Sequence, residues 1–215
     1  CMSLREPHFH KTTGELSYWK HIKYTATHLS GQRYFVQVAA LSVVIMTVNI
    51  LIEDYVQLYY YFAGFSLFAI GILSFFEGVK EMVGNYVGAR IVQTRRTAYT
   101  YGYLLVFMCG ALLLTAWQVN IVGVLGLFIA SIIFFIIDVP LLGSFHKKLD
   151  SKIRATSESF LNLVTELTKV LLALGFAFIA NEYSINIAFG ALGLLVLFYT
   201  IYYFAFSLKI IRDTI

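Results

Sequence analysis

Residues 34–52 read YFVQVAALSVVIMTVNILI, a run of nineteen residues without a single charged side chain. A helix rises 1.5 Å per residue, so about 20 mostly apolar residues cross the roughly 30 Å of hydrocarbon in a bilayer. A run of this length and composition is typical of a membrane-spanning helix. The sequence therefore predicts a first transmembrane span at residues 34–60.

The composition of the rest of the chain agrees with a membrane protein. Hydrophobic residues make up 59% of the 215 residues and charged residues only 13%, against about 25% charged in an ordinary soluble domain. The apolar runs are continuous, whereas barrel strands would alternate apolar and polar residues. We predict an all-α membrane protein with six transmembrane helices, at residues 34–60, 65–89, 97–117, 119–142, 155–180 and 184–208.

The first 33 residues form a separate region in this prediction. They are polar, and they precede a six-helix transmembrane bundle at residues 34–215. Residues 14–29 predict a short amphipathic helix that lies along the inner face of the membrane. His8 and His10 have a spacing that could meet a metal ion, but a third ligand is missing from the pattern and we predict no metal or other cofactor.

The basic residues predict the orientation of the bundle. Lys and Arg favour cytoplasmic loops, and with a cytoplasmic N-terminal linker all loop Lys and Arg residues fall on one side. We therefore expect a multi-pass protein of the cell (inner) membrane with both termini in the cytoplasm. Aromatic residues near the predicted interfaces would form belts: Tyr59, Tyr60, Tyr61, Trp117 and Tyr183 outside, Tyr99 and Tyr101 inside.

Charged residues inside the spans indicate where function lies, because one such residue at a helix centre costs about 2.5 to 3.5 kcal/mol on insertion scales. The first, second, fourth and fifth spans contain them, while the third and sixth contain none. This contrast predicts that four spans line a polar cavity and two face lipid. The embedded or bordering charges are Glu53, Asp54, Glu77, Lys80, Glu81, Asp138, Glu158, Glu166 and Lys169.

The fifth span carries the clearest pattern. Glu158, Asn162, Thr165, Glu166 and Lys169 recur at three- and four-residue intervals and so share one helix face. Glu166 and Lys169 are close enough in sequence to pair. Two interpretations stay open: a proton or substrate site in the cavity wall, or an ion pair that only holds helices together.

Other charges leave alternatives of the same kind. Glu77 is either a cavity residue or part of a local pair with Lys80 near the cytoplasm. Asp138 precedes Pro140, where a kink and a basic loop favour a gating or structural role. Glu53 and Asp54 indicate either that the first helix leaves the membrane there or that it borders a water-filled vestibule.

Several short motifs indicate a family relationship: Leu4-Arg5-Glu6-Pro7, Tyr55-Val56-Gln57-Leu58-Tyr59 with Gly64, Arg154-Ala155-Thr156 with Ser159 and Leu161, and Ala188-Phe189-Gly190. Together they resemble the C-terminal six-helix half of major facilitator superfamily transporters. The loop at residues 85–96 departs from the signature of that family because it lacks the aspartate. The resemblance implies two inverted three-helix repeats, a small-molecule substrate at the midplane, and an N-terminal six-helix half as partner.

These observations together predict a secondary active transporter that moves a small solute by alternating access, with proton coupling. No nucleotide-binding phosphate loop and no intramembrane nucleophile with a base is present in the sequence, so we expect neither a pump nor an enzyme. A six-helix channel or a membrane scaffold subunit is the alternative, and we expect no nucleic-acid partner. The predicted substrate and proton pathway contains Tyr55, Gln57, Glu77, Asn162, Glu166 and Lys169, and the predicted gate contains Asp138 and Arg154.

Overall fold

The structure is a computed structural model, and it describes residues 31–91, 95–149 and 151–214. Within these ranges the chain is almost entirely helical and contains no strand. The helices are α1 (Arg33–Phe62), α2 (Leu67–Arg90), α3 (Arg95–Trp117), α4 (Ile121–Lys148), α5 (Ser151–Glu182) and α6 (Ile185–Tyr202). A π-helical turn, Tyr203–Ser207, joins α6 to the short α7 (Leu208–Thr214).

The helix positions confirm the all-helical prediction. Each predicted span coincides with one long helix, and the largest differences are at α4 and α5, which extend several residues further into the connection between them than predicted. Five of the long helices are long and apolar enough to cross a membrane, as in a multi-pass membrane protein: α1, α3, α4, α5 and α6 with α7. The exception is α2, whose 24 residues include Glu77, Lys80 and Glu81, so its crossing stays a prediction.

Short turns with defined caps separate the helices. Gly64 lies between α1 and α2 at φ +83°, a left-handed conformation that glycine adopts without strain. Ser66 then caps α2 by accepting a hydrogen bond from the Ala69 amide. Asn120 caps α4 by accepting from the amides of Val122 and Gly123. These turns satisfy helix-end amides that would otherwise lack partners.

The core lies around α1, α3 and α4. Completely buried side chains of α1, among them Leu41, Ile45 and Val48, contact this core. α3 packs against α4 and α6, and α1 packs against α4 and α5, while α2 packs chiefly against α4. α2 and α5 are therefore the helices that leave the largest apolar faces uncovered.

α2 approaches α4 along a narrow stripe. Its buried residues are Lys80, Gly84 and Gly88, spaced four apart. A Cβ atom added to Gly88 would lie 2.9 Å from the Ile136 carbonyl oxygen. Small residues at this spacing let two helix backbones approach closely in a membrane, and here they bring Lys80 against α4.

Two tyrosines of the predicted outer belt lie inside the bundle, and their depth in the membrane stays a prediction. Tyr59 and Tyr60 are buried in the bundle, while Tyr61 is exposed. The Tyr59 hydroxyl donates to the backbone carbonyls of Thr115 and Gln118, 3.0 Å from each. Burial is possible because each hydroxyl finds a partner inside the protein. Tyr101, predicted for the inner belt, is also buried.

One end of the bundle is held by hydrogen bonds around the π-helical turn. The Ser207 hydroxyl donates to Oε1 of Gln37 over 2.6 Å, and Nε2 of Gln37 donates to the Tyr202 hydroxyl over 2.9 Å. The Tyr203 hydroxyl donates to the Ala98 carbonyl over 2.7 Å. The turn therefore connects α6 to both α1 and α3.

The N-terminal region lies outside the described residues. The amphipathic helix predicted at residues 14–29 falls there, as do His8 and His10.

Candidate functional site

A carboxylate–ammonium pair lies on α2 where it meets α4. Nζ of Lys80 is 3.3 Å from Oε2 of Glu77, one helical turn earlier. The Lys80 side chain is only 3% exposed and that of Glu77 is 24% exposed. A buried ammonium is stable only with a charged partner. The Glu77 carboxylate provides this partner and so allows Lys80 to be buried.

Two aromatic residues complete this first pair. The Tyr60 hydroxyl of α1 donates a hydrogen bond to Oε1 of Glu77 over 3.1 Å. The ring of Phe128 on α4 lies under the Lys80 ammonium, with 5.6 Å from Nζ to the ring centroid, a distance typical of a cation–π contact. The predicted local pair of Glu77 with Lys80 is therefore present, but it is buried against α4 and connects three helices.

A second pair lies on α5 and confirms the predicted partnership of Glu166 and Lys169. Nζ of Lys169 is 3.0 Å from Oε2 of Glu166. This pair is much more open, because 58% of the Glu166 side chain and 26% of the Lys169 side chain are exposed. Asp54 of α1 lies close enough to Lys169 to interact with its charge.

The C-terminal half of α1 lies next to both pairs. Tyr60 reaches Glu77 on one side, and the Tyr55 ring packs against Phe176 of α5 on the other, with 4.4 Å between ring centroids. Asp54 and Gln57 are exposed on the same half of the helix. Both pairs therefore lie next to α1, but they reach it through different residues, Tyr60 for Glu77 and Asp54 for Lys169.

Further predicted site residues take different positions in this region. Asn162 is exposed on α5, one turn before Glu166. Glu53 is exposed on α1 and accepts a hydrogen bond from Nδ2 of Asn49 over 2.8 Å. Thr165 is buried, and its hydroxyl donates to the Leu161 carbonyl. The polar face predicted for α5 is thus split between an exposed edge and a buried one.

The two predicted gating residues are apart from one another. Asp138 is half-buried on α4, and Arg154 is exposed near the start of α5. Among the side chains that the structure describes, no ion pair joins Asp138 to a basic residue. The side chains of Lys148 and Lys152, in the basic loop after Pro140, lie outside the described residues, so the role of Asp138 stays a prediction.

Sequence reasoning missed the depth of Lys80 and the role of Tyr60. The position of Tyr60 close to the end of the span favours a place in the aromatic belt and does not show its contact with Glu77. The signal for Lys80 is its spacing of four from Gly84 and of eight from Gly88, which puts it on the same stripe as two glycines that mark a close helix contact.

Metal ligands are not grouped in the described residues. No set of three or more His, Cys, Asp and Glu side chains there could hold a metal ion. The chemistry available to the region is that of carboxylates, ammonium groups and tyrosine hydroxyls, which can exchange protons or bind charged solutes.

No family model, no curated protein and no solved structure matches this chain.

Proposed function

We propose that this chain is the C-terminal six-helix half of a secondary active transporter of the major facilitator type, and that it moves a small solute by alternating access with proton coupling. One observation carries the proposal. Two carboxylate–ammonium pairs lie in the middle of long helices, on α2 and α5, next to the polar outer half of α1. Ionisable groups at such depth are expensive in a membrane and mark ion or substrate pathways.

The inverted repeat of three helices that the family resemblance implies would relate α1 to α4, α2 to α5 and α3 to α6, and the helix packing agrees with it only in part. Exchanging α1 with α4, α2 with α5 and α3 with α6 turns the contact of α2 with α4 into that of α5 with α1. The same exchange turns the extensive contact of α3 with α4 into the much smaller contact of α6 with α1, and the contact of α5 with α6 has no comparable counterpart between α2 and α3. A two-fold relation between inverted repeats is the architecture on which many transporters rock between two states.

The uncovered faces of α2 and α5 support a partner of similar size. On α5 the exposed surface includes Glu166 as well as Leu163, Leu167 and Leu171. A surface that mixes apolar residues with a charged pair suits neither lipid alone nor water alone. We propose that the N-terminal six-helix half covers these faces and encloses a water-filled cavity, while lipid surrounds the rest.

Residue roles follow from the exposure of the two pairs. Glu166 is the best proton carrier because its carboxylate is accessible from the proposed cavity and has one lysine as its partner. The α5 side of the proposed cavity is lined by Lys169, Asn162, Gln57 and Tyr55, and its α2 side is lined by Glu77. Asp138 and Arg154 are the proposed gating residues, on the cytoplasmic side of the cell (inner) membrane that the basic loops predict.

A flux measurement tests the proposal. The protein is reconstituted into liposomes that contain a pH-sensitive dye, and labelled amino acids, sugars, organic cations and organic anions are supplied with and without a proton gradient. We expect saturable uptake of one class that the gradient accelerates, together with a change in internal pH. A steady conductance in planar bilayers without saturable uptake would instead indicate a channel.

Replacing Glu166 by Gln isolates the coupling step. The variant keeps the size and hydrogen-bonding capacity of the side chain but cannot carry a proton. We expect the proton gradient to lose its effect on uptake. Glu182→Gln is the matched control, because Glu182 is exposed at the last turn of α5. An unchanged pH dependence of uptake in the Glu166 variant would exclude Glu166 as the carrier.

The partner half has its own test at the level of DNA. Sequencing upstream of the codon for Cys1 should reveal an in-frame extension that encodes six more spans. A stop codon followed by a start at Met2 would contradict this part of the proposal and favour a dimer of the six-helix chain.

A further inference from the structure

The exposed face of α3 begins with an arginine and continues as an apolar stripe. Arg96 is exposed in the first turn of the helix. Four residues follow it at intervals of seven, four, three and four, which keeps them on the same side of the helix as Arg96. All four are exposed, and we call them the α3 stripe: Tyr103, Phe107, Gly110 and Leu114.

Arg96 carries a positive charge that nothing in the described part of the chain neutralises. The first turn of α3 contains no acidic residue. No carboxylate whose position the structure describes lies within ion-pair distance of the Arg96 guanidinium. A guanidinium is more weakly hydrated than an ammonium, and it matches a phosphate group with two parallel hydrogen bonds. The charge at this end of the α3 stripe is therefore suited to a phosphate group.

A second arginine reaches the same place from α7. Nη1 of Arg212 donates a hydrogen bond to the Tyr99 hydroxyl over 3.1 Å. Tyr99 lies three residues after Arg96 on α3, and residues at this spacing are neighbours on a helix surface. Nη2 of Arg212 is also 2.9 Å from Oδ1 of Asp213. A guanidinium has more N–H donors than these contacts use, so Arg212 can bind a further acceptor beside Arg96.

An aromatic surface adjoins the stripe where the π-helical turn packs on α3. A Cβ atom added to Gly102 would lie 2.7 Å from Cζ of Phe204, so the Phe204 ring lies directly on the α3 backbone. The same ring is 6.4 Å from the Tyr103 ring, measured between centroids, and both rings are exposed. The π-helical turn therefore widens the apolar surface next to the two arginines.

We propose that the α3 stripe, together with Arg96 and Arg212, binds one anionic phospholipid. The two guanidinium groups hold its phosphate, and one acyl chain lies along Tyr103 and Phe107. From Arg96 to Phe107 the helix rises about 16 Å, which is close to half of the roughly 30 Å of hydrocarbon in a bilayer. This part of the stripe therefore matches the acyl chain of one leaflet.

The position of the stripe favours lipid over protein as the partner. α3 packs against α4 and α6, whereas the faces proposed for a partner half are on α2 and α5. A phospholipid has the same division as this surface, with its charge at one end and apolar chains along the rest. An anionic headgroup is favoured because a zwitterionic one adds an ammonium group, and the Asp213 carboxylate beside the site already pairs with Arg212.

Native mass spectrometry of the full-length chain in detergent measures this binding. Phosphatidylglycerol and phosphatidylcholine with identical acyl chains are titrated separately, and the dissociation constant of the first bound lipid is obtained for each. We expect phosphatidylglycerol to bind more tightly by about tenfold or more, as for two basic side chains near an anionic lipid. Equal dissociation constants for the two lipids would overturn the inference.

Three variants locate the bound lipid. Arg96→Gln and Arg212→Gln should each weaken phosphatidylglycerol binding by about fivefold and change phosphatidylcholine binding much less, and each tests the site without the other. Arg90→Gln is the matched control and should leave both affinities unchanged. Arg90 is exposed at the end of α2, and its guanidinium lies over the Tyr86 ring instead. An equal loss in Arg90→Gln would contradict the site, because binding would then depend only on total charge.

Glycerol phosphate distinguishes a lipid from a simple anion. It has the phosphate group but no acyl chain, so an excess of it should not displace phosphatidylglycerol. Displacement would mean that the arginines bind a free phosphate group, and the assignment to lipid would be wrong. The titration needs neither a solute nor a proton gradient, so its outcome is independent of the flux measurement.

Discussion

Gly88→Ala is the most direct test of the close contact between α2 and α4. The new Cβ atom would lie 2.9 Å from the Ile136 carbonyl oxygen, 3.0 Å from that of Phe135 and 3.2 Å from the Ile136 Cα atom. Ordinary contacts are at 3.4–4 Å. All three neighbours are backbone atoms of α4, so no side chain can rotate away, and the two helices must separate by several tenths of an ångström.

The expected magnitude follows from two opposing effects. Extra methyl groups in a packed interface cost about 1 to 3 kcal/mol, while replacing glycine by alanine within a helix gains up to about 1 kcal/mol. Gly78→Ala on the same helix provides the control, because an added Cβ there meets nothing within 4 Å. The difference in unfolding free energy between the two variants, about 1 to 3 kcal/mol, is the steric part alone.

Cys109 makes the measurement simple. Its thiol is buried in α3, so a fluorogenic thiol reagent reports unfolding in detergent as the temperature rises, with Cys1→Ser in every variant. We expect a clearly lower midpoint for Gly88→Ala and an equal or higher one for Gly78→Ala. Equal midpoints for the two variants would refute the close approach of α2 to α4, and with it the burial of Lys80.

Two further changes can be followed with the same assay. Tyr60→Phe removes the hydroxyl that donates to Glu77 and should lower the free energy of unfolding by about 1.5 to 3 kcal/mol, as for hydrogen bonds to charged groups. Tyr61→Phe, on an exposed ring, should not change it measurably. Equal effects of the two changes would contradict the hydrogen bond between Tyr60 and Glu77. Gln37→Leu leaves the buried Ser207 hydroxyl of the π-helical turn without its acceptor. It should lower the free energy of unfolding by about 1 to 3 kcal/mol. Gln57→Leu, at an exposed position of the same helix, is the comparison, and a similar loss in both would argue against the connection at the π-helical turn.

The sequence was a good guide to the helices for a physical reason. A membrane-spanning helix satisfies its own backbone hydrogen bonds, so its position depends on the local run of apolar residues. The run from residue 34 predicted α1 almost to the residue, and the short polar separators predicted the turns. Glu166 and Lys169 pair as expected, since residues three apart in one helix are always neighbours.

Contacts between helices were harder to predict from the sequence. Lys80 and Glu81 are adjacent charges in one helix, and nothing in their chemistry distinguishes the buried one from the exposed one. Tyr60 and Tyr61 are adjacent in the same way, yet Tyr60 is buried on Glu77 and Tyr61 is exposed. The outcome depends on the rotation of each helix against its neighbours, which is set by packing over the entire interface.

By itself the sequence determined the helical class of this protein, the approximate ends of its helices and the local ion pair on α5, because each depends on residues within a few turns of one another. Only the tertiary structure decided that Lys80 is buried against Phe128, that Tyr60 reaches Glu77, and that the two Glu–Lys pairs differ in exposure. These features join residues that are distant in the chain, and the burial of a charge depends on the protein or water that surrounds it in three dimensions.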